Sequence, residues 1–157
     1  MDIHSFTIPS LVNSQAKNLG EKLALVSDQN SFSYSQIDKF SSIIASNLVS
    51  LGLTKGDRVA IWAPNMNEWV LAAIGVHKAA GVLVPINTRM KGKEAAYILN
   101  NSKTKMIFSV REFLDIDYFS LIKGEDLPYL KTKIVLDDAL VQEDQISFNS
   151  LLQKNNQ

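Results

Sequence analysis

Arg89 closes the triplet Asn87-Thr88-Arg89, which follows directly on the apolar run Val82-Leu83-Val84-Pro85-Ile86. A guanidinium is planar, permanently charged and forked, so it can meet a phosphate through paired hydrogen bonds. Just past a strand, its backbone is held while its head reaches outward. Local sequence leaves two readings open: a surface arginine pairing with Glu94 or water, or a phosphate contact. Asn65 stands beyond a second apolar run, Val59-Ala60-Ile61-Trp62-Ala63, and Arg111 beyond a third, Met106-Ile107-Phe108. The placement matters because ligands of open parallel sheets gather outside the carboxyl ends of the strands.

The remaining inventory assigns no catalytic residue and no metal ligand. There is no G-x-x-x-x-G-K-[ST] phosphate loop and no G-x-G-x-x-G fingerprint. The seven glycines are scattered as helix stops and turns. His4 and His77 have no ligand-like spacing to carboxylates. His77 lies near the end of a helical pattern, where a donor suits the negative end of the dipole. Asp137-Asp138 reads as a solvated turn rather than a metal pair. Trp62 and Trp69 fall inside apolar segments, so packing is favoured over stacking on a base. No serine sits in a G-x-S-x-G elbow, and Ser33 is explained as a helix cap.

Composition narrows the classes further. The chain has 157 residues, 46% hydrophobic and 20% charged, enough for one globular domain. Sixteen basic residues balance sixteen acidic ones, so no global field favours nucleic acid or anionic membrane. There is no cysteine, which excludes disulfides and thiolate sites. No apolar run reaches the length of a bilayer-spanning helix, and the first residues carry no apolar signal region. The expected compartment is the cytoplasm.

The elements that would position these groups follow from periodicity. Pro9 to Leu19 has helical spacing and stops at Gly20. Leu23 to Val26 and the segment from Phe32 read as short strands about a turn at Asp28-Gln29-Asn30. Ser33-Tyr34-Ser35-Gln36 has the form of a capping box, and Ile37, Phe40, Ile44, Leu48 and Leu51 then share one helical stripe. After a tight turn at Lys55-Gly56-Asp57, Val59 to Ala63 is a strand covered on both faces. Asn65-x-x-Glu68 caps a helix running to Gly81. Val82 to Ile86 is another buried strand, Lys93 to Asn100 a helix, and Met106 to Phe108 a third interior strand. Asp117 to Ile122 makes a helical turn, and Ile134 to Leu136 a last strand. A polar loop, Asp137 to Gln145, leads to a short helix from Ile146. Strands alternating with helices predict a doubly wound α/β domain: a mainly parallel sheet with helices on both faces.

Read together, Phe32-Ser-Tyr-Ser-Gln-Ile, Leu51-Gly-Leu-Thr-Lys-Gly-Asp-Arg-Val-Ala-Ile-Trp-Ala-Pro-Asn, and Trp69…Gly75…Lys78-Ala-Ala-Gly-Val-Leu-Val-Pro-Ile-Asn-Thr-Arg resemble the opening of the adenylate-forming acyl-CoA synthetases. Asp117-Tyr118 and Leu127-Pro…Ile134-Val-Leu-Asp resemble the same group. The resemblance implies an ATP-dependent ligase with Mg²⁺ and CoA. ATP activates a carboxylic acid, fatty or aryl, as an acyl-adenylate, and CoA then forms the thioester. It implies that Arg89 contacts the nucleotide phosphate of CoA, while Asn87 and Thr88 shape the turn. Where relatives often continue with Ser/Thr-Pro-Glu-Glu, this chain has Lys91-Gly92-Lys93-Glu94, a poorer helix start by about 1 kcal/mol. The family's Ser/Thr/Gly-rich phosphate loop, adenine segment, ribose-binding aspartate, hinge and lid domain with its catalytic lysine do not occur before Gln157. The resemblance therefore implies an incomplete AMP-binding domain over 1–157, inactive alone and binding no cofactor tightly. The alternative is an interaction module whose exposed apolar face docks to a separately encoded remainder.

Overall fold

The computed structural model describes residues 7–137 and 141–153, so His4, Asp138 and the terminal Lys-Asn-Asn-Gln lie outside the described residues. The chain opens with helix α1 (Ile8–Leu19), started by Thr7 and Ser10 as reciprocal caps and stopped by Gly20 at φ +50°. Strands β1 (Leu23–Val26) and β2 (Ser31–Ser33) pair antiparallel as a separate hairpin. Helix α2 (Tyr34–Ser50) starts on the expected box: Gln36 N–H donates to Ser33 Oγ at 3.2 Å, and Ser33 N–H to Gln36 Oε1 at 2.8 Å. Its stripe buries Ile37, Ile44 and Leu48. Each such side chain contributes roughly 1.5–3 kcal/mol on leaving water.

The central sheet is fully parallel. Strands β3 (Arg58–Trp62), β4 (Val82–Pro85), β5 (Met106–Ser109), β8 (Thr132–Val135) and β9 (Gln145–Ser147) lie in the order β4-β3-β5-β8-β9. Helix α3 (Asn67–Lys78) links β3 to β4, and α4 (Gly92–Asn101) links β4 to β5. The chain thus steps outward from β3 to β4, then returns across β3 to β5. Right-handed crossovers in these two directions put α3 and α4 on opposite faces. Accordingly α2 packs on α1, α3 and α6 (Phe148–Gln153), while α4 packs on α5 (Tyr118–Leu121). The short hairpin β6 (Glu112–Phe113) and β7 (Ile116–Asp117) precedes α5. Val59 to Trp62 and all of β5 are buried, as interior strands covered on both faces should be.

Four local expectations change. Val82 to Ile86 is not a buried strand: β4 is the sheet edge, and Val82 is 47% exposed. Pro85 is tolerated there because an edge leaves one side of the ladder free. The N-cap of α3 is Met66 rather than Asn65. Ile146 belongs to strand β9, and the final helix begins at Phe148. The glycine at 92, expected to weaken α4, has a packing reason: a Cβ there would run into the Leu121 carbonyl at the end of α5.

Candidate functional site at the carboxyl ends of the strands

Asn65, Asn87 and Arg111 follow the carboxyl ends of β3, β4 and β5, as expected from the sequence. The sheet order makes β3/β5 the point where chain direction switches, the usual place for a crevice. Two clefts flank the end of β3. One, of about 390 Å³, lies at the switch and is lined by the β1–β2 loop, Asn65, Asn67, Glu68, Glu112 and Asp137. The other, of about 380 Å³, lies on the β4 side between Ala63, Asn65, Trp69, Ile86, Asn87 and Thr88.

The cleft at the switch is held by amide chemistry. Asn67, 7% exposed at the first position of α3, donates through Nδ2 to Ser27 Oγ at 3.2 Å and to the Asn30 carbonyl at 3.1 Å. It thereby ties the hairpin loop to the start of α3. Asp137 accepts the Arg111 N–H at 3.0 Å and the Glu112 N–H at 3.4 Å and so caps the turn after β5. With Asp28, Glu68 and Glu112 also on its walls, this cleft repels an anion.

The chain contains three arginines, and their partners separate them. Arg58 donates to the carbonyls of Ser102, Gly56 and Lys103. Arg111 Nε lies 3.3 Å from Asp117 Oδ2. Its terminal nitrogens lie 3.2 Å from the Gln142 amide oxygen in the orientation that satisfies both groups. Burial pushes the Asp117 carboxyl up, but the Ser120 hydroxyl and amide and the Arg111 charge outweigh it and hold the group below its ordinary range. Arg89 is exposed, and its guanidinium pairs with no described carboxylate. The pairing with Glu94 is not formed; Glu94 Oε2 accepts the Lys91 N–H at 2.8 Å and caps α4.

Around Arg89 the backbone is fixed. Asn87 Oδ1 accepts the Arg89 N–H at 2.9 Å, and the Asn87 carbonyl accepts the Met90 N–H at 3.0 Å. Trp62 Nε1 donates to the Asn87 carbonyl at 3.1 Å, and Tyr118 Oη to the Thr88 carbonyl at 2.9 Å. Sequence reasoning placed Trp62 in packing and did not reach Tyr118 or Asn67 as contributors. Their partners lie 25, 30 and 37 to 40 residues away, beyond any local pattern. Trp62 is fully buried, whereas Trp69 is half-buried and lines the β4-side cleft. His77 sits in the last turn of α3, as its position suggested.

Among the described residues, no group of three or more His, Cys, Asp or Glu side chains gathers to hold a metal ion. No described helix is long and apolar enough to cross a membrane.

The model of the AMP-binding enzyme family matches residues 12–157. A 3-[(3aS,4S,7aS)-7a-methyl-1,5-dioxo-octahydro-1H-inden-4-yl]propanoyl:CoA ligase of Rhodococcus jostii (strain RHA1) is 36% identical over 126 residues, covering 78% of this chain and 24% of its own. A crotonobetaine/carnitine–CoA ligase of Salmonella paratyphi A (strain ATCC 9150 / SARB42) is 32% identical over 143 residues, covering 88% of this chain and 27% of its own. The crystal structure of the anthranilate CoA ligase AuaEII with anthranoyl-AMP superposes with a TM-score of 0.85 at 25% identity, over 94% of this chain and 28% of that one. The chain spans about a quarter of the length of the curated relatives it matches.

Proposed function

The chain belongs to the AMP-binding enzyme family, and from that premise we propose that it forms the first α/β scaffold of an ATP-dependent acyl-CoA ligase. The reaction joins a carboxylic acid, fatty or aryl, to CoA, with ATP cleaved to AMP and pyrophosphate. A carboxylate is a poor electrophile. Its oxygen attacks the α-phosphorus of ATP, pyrophosphate leaves, and the mixed anhydride that forms carries AMP as a good leaving group. The CoA sulfur then attacks the acyl carbon, AMP departs with the C–O electron pair, and the thiol proton passes to solvent or a base.

In this reading the chain binds and orients; it does not stabilise the triphosphate. Its sequence carries no glycine-rich phosphate loop. The carboxylates of the described residues do not gather as a metal site, so no step through Mg²⁺ is assigned to them. The observation that carries the reading is Arg89, a guanidinium without a described partner at the carboxyl end of β4, in a chain matched to this family over 12–157. It offers a fork to the nucleotide phosphate of CoA.

The test is an incubation of the chain with ATP, fatty and aryl acids, and CoA. No sustained pyrophosphate release is expected; turnover would overturn the scaffold reading. A second reading, a docking module for a separately encoded remainder, draws support from the exposed edge strand β4, where Val82 is 47% exposed, and from Tyr97 on α4, 68% exposed. A chain that stays monomeric and ignores the remainder of a relative would rule it out.

A further inference from the structure

We infer that Trp62 and Tyr118 are positioning residues for Arg89, an inference that rests on the reading of Arg89 as a phosphate contact for CoA. Trp62 ends β3 and Tyr118 begins α5. Their rings meet edge to face, with centroids 4.7 Å apart at 80°. Trp62 is fully buried and Tyr118 is 2% exposed. Each ring has one polar atom, and both atoms serve the same loop. The indole N–H holds the Asn87 carbonyl and the phenol O–H holds the Thr88 carbonyl, so the two carbonyls before Arg89 are pinned in succession. Two phenylalanines would fill similar space, but neither could donate.

The device has a physical use. A guanidinium on a loose loop loses conformational freedom when it grips a phosphate, and that loss weakens binding. A loop ordered beforehand loses less. The Arg89 side chain is exposed and pairs with no described carboxylate, while Trp62, Tyr118 and the Asn87 side chain fix the backbone that carries it. Burial pushes the Tyr118 phenol pKa up, against the opposing hydrogen bond to Thr88. The donor therefore persists through neutral and mildly alkaline solution.

The test is Tyr118→Phe, which deletes only the oxygen, with Trp62→Phe as a parallel variant. Two measurements are made on the whole chain. Hydrogen exchange follows the Arg89 amide, and NMR titration compares CoA with pantetheine, which lacks the nucleotide and all its phosphates. Tyr118→Phe is expected to speed exchange at Arg89 about tenfold and to lower the preference for CoA over pantetheine roughly threefold or more. In an Arg89→Met background the same change leaves that preference where Arg89→Met alone puts it. A purely structural role would weaken both ligands by one factor and leave the ratio intact, which overturns the inference. Unchanged exchange in Tyr118→Phe overturns it too; if Arg89→Met still lowers the preference, the phosphate reading stands without it. If the wild-type chain shows no preference at all, the Arg89 reading falls first, and the positioning role with it. Should Trp62→Phe fail to fold, Tyr118→Phe alone decides.

Discussion

The two ends of the parallel sheet carry similar charges and use them differently. At the amino end, Arg58 and Lys105 are consumed within the fold. Arg58 donates to the Gly56, Ser102 and Lys103 carbonyls, while Lys105 Nζ reaches the Gly52 carbonyl at 2.8 Å and Asp57 Oδ2 at 2.7 Å. Gly52 and Ser102 follow the last turns of α2 and α4, where unpaired carbonyls gather and a cation is favourable. At the carboxyl end Arg111 is likewise paired, with Asp117, but in the loop after β4 the donors run the other way. Neutral side chains, Trp62, Tyr118 and Asn87, hold the backbone, and the cation Arg89 pairs with no described carboxylate. A charge satisfied within the fold is part of its stability. A charge that the fold positions but leaves without a partner is available to a ligand.

The comparison requires the carboxyl end to be rigid, and the largest expected effect tests that. Gly92 starts α4 against the Leu121 carbonyl, where an added Cβ has no room. Alanine in place of glycine in a helix is worth about 0.5–1 kcal/mol in its favour. Here the collision is with backbone, and overpacking of this kind costs roughly 1–3 kcal/mol or more. Gly92→Ala should lose about 2 kcal/mol net in urea unfolding. A gain in stability would mean that this end of the sheet yields, and Arg89 would then stand on a soft platform.

How far the sequence announced this arrangement depends on range. The Ser33–Gln36 box and the stripe after it are local, and both appear where the residues put them. The apolar runs of β3 and β5 are buried, because interior strands need no alternation. The run at Val82 looks the same in sequence yet forms an edge. Edge or centre is fixed by sheet order, not by the run itself. Gln145 to Ser147 is too short a strand for any period to show, and it exists only by pairing with β8. At the site, Arg89 could be singled out by type and place. Its freedom could not, because that required knowing that Glu94 turns back to Lys91. The turn at Leu114-Asp115, with both residues at positive φ, carries none of the glycine or asparagine that usually marks such a turn.

Arg58 provides the next test of the contrast, from the amino end. Arg58→Met keeps most of the aliphatic stem and removes the donors to three carbonyls. Hydrogen bonds from a charged group are worth about 1.5–3 kcal/mol each when buried and less in partial exposure, so a loss of about 2 kcal/mol in total is expected. A loss under about 0.5 kcal/mol, the range of an ordinary surface change, would erase the distinction between the ends.

A smaller effect at the same end depends on pH. Asp57 accepts from Lys105 Nζ, the Thr54 amide and the Thr54 hydroxyl, and these bonds lower its carboxyl from 3.8 to about 2 despite some desolvation. A folded pKa below the unfolded one gives stability that is present above pH 3.8 and is lost as pH falls through it toward 2. The side chain is 22% exposed, so solvent screening reduces the contribution to about 1 kcal/mol. Asp57→Asn should lose that amount at neutral pH and show a flatter acid limb between pH 4 and 2. Parallel acid limbs in the two proteins would show that the Lys105–Asp57 bond contributes nothing.

The smallest expected effect on stability is the sharpest test of the comparison. Arg89→Met removes a guanidinium that satisfies no described group of the fold. Its backbone contacts through Asn87, Trp62 and Tyr118 do not depend on the side chain. Urea and thermal unfolding should therefore place the variant within about 0.5 kcal/mol of wild type. If Arg89 instead meets a phosphate, the same substitution removes a charged hydrogen bond worth about 1.5–3 kcal/mol, and CoA binding should weaken by roughly ten- to a hundredfold. Loss of stability without loss of binding would make Arg89 a second Arg58, a structural cation, and the carboxyl end would hold no charge in reserve.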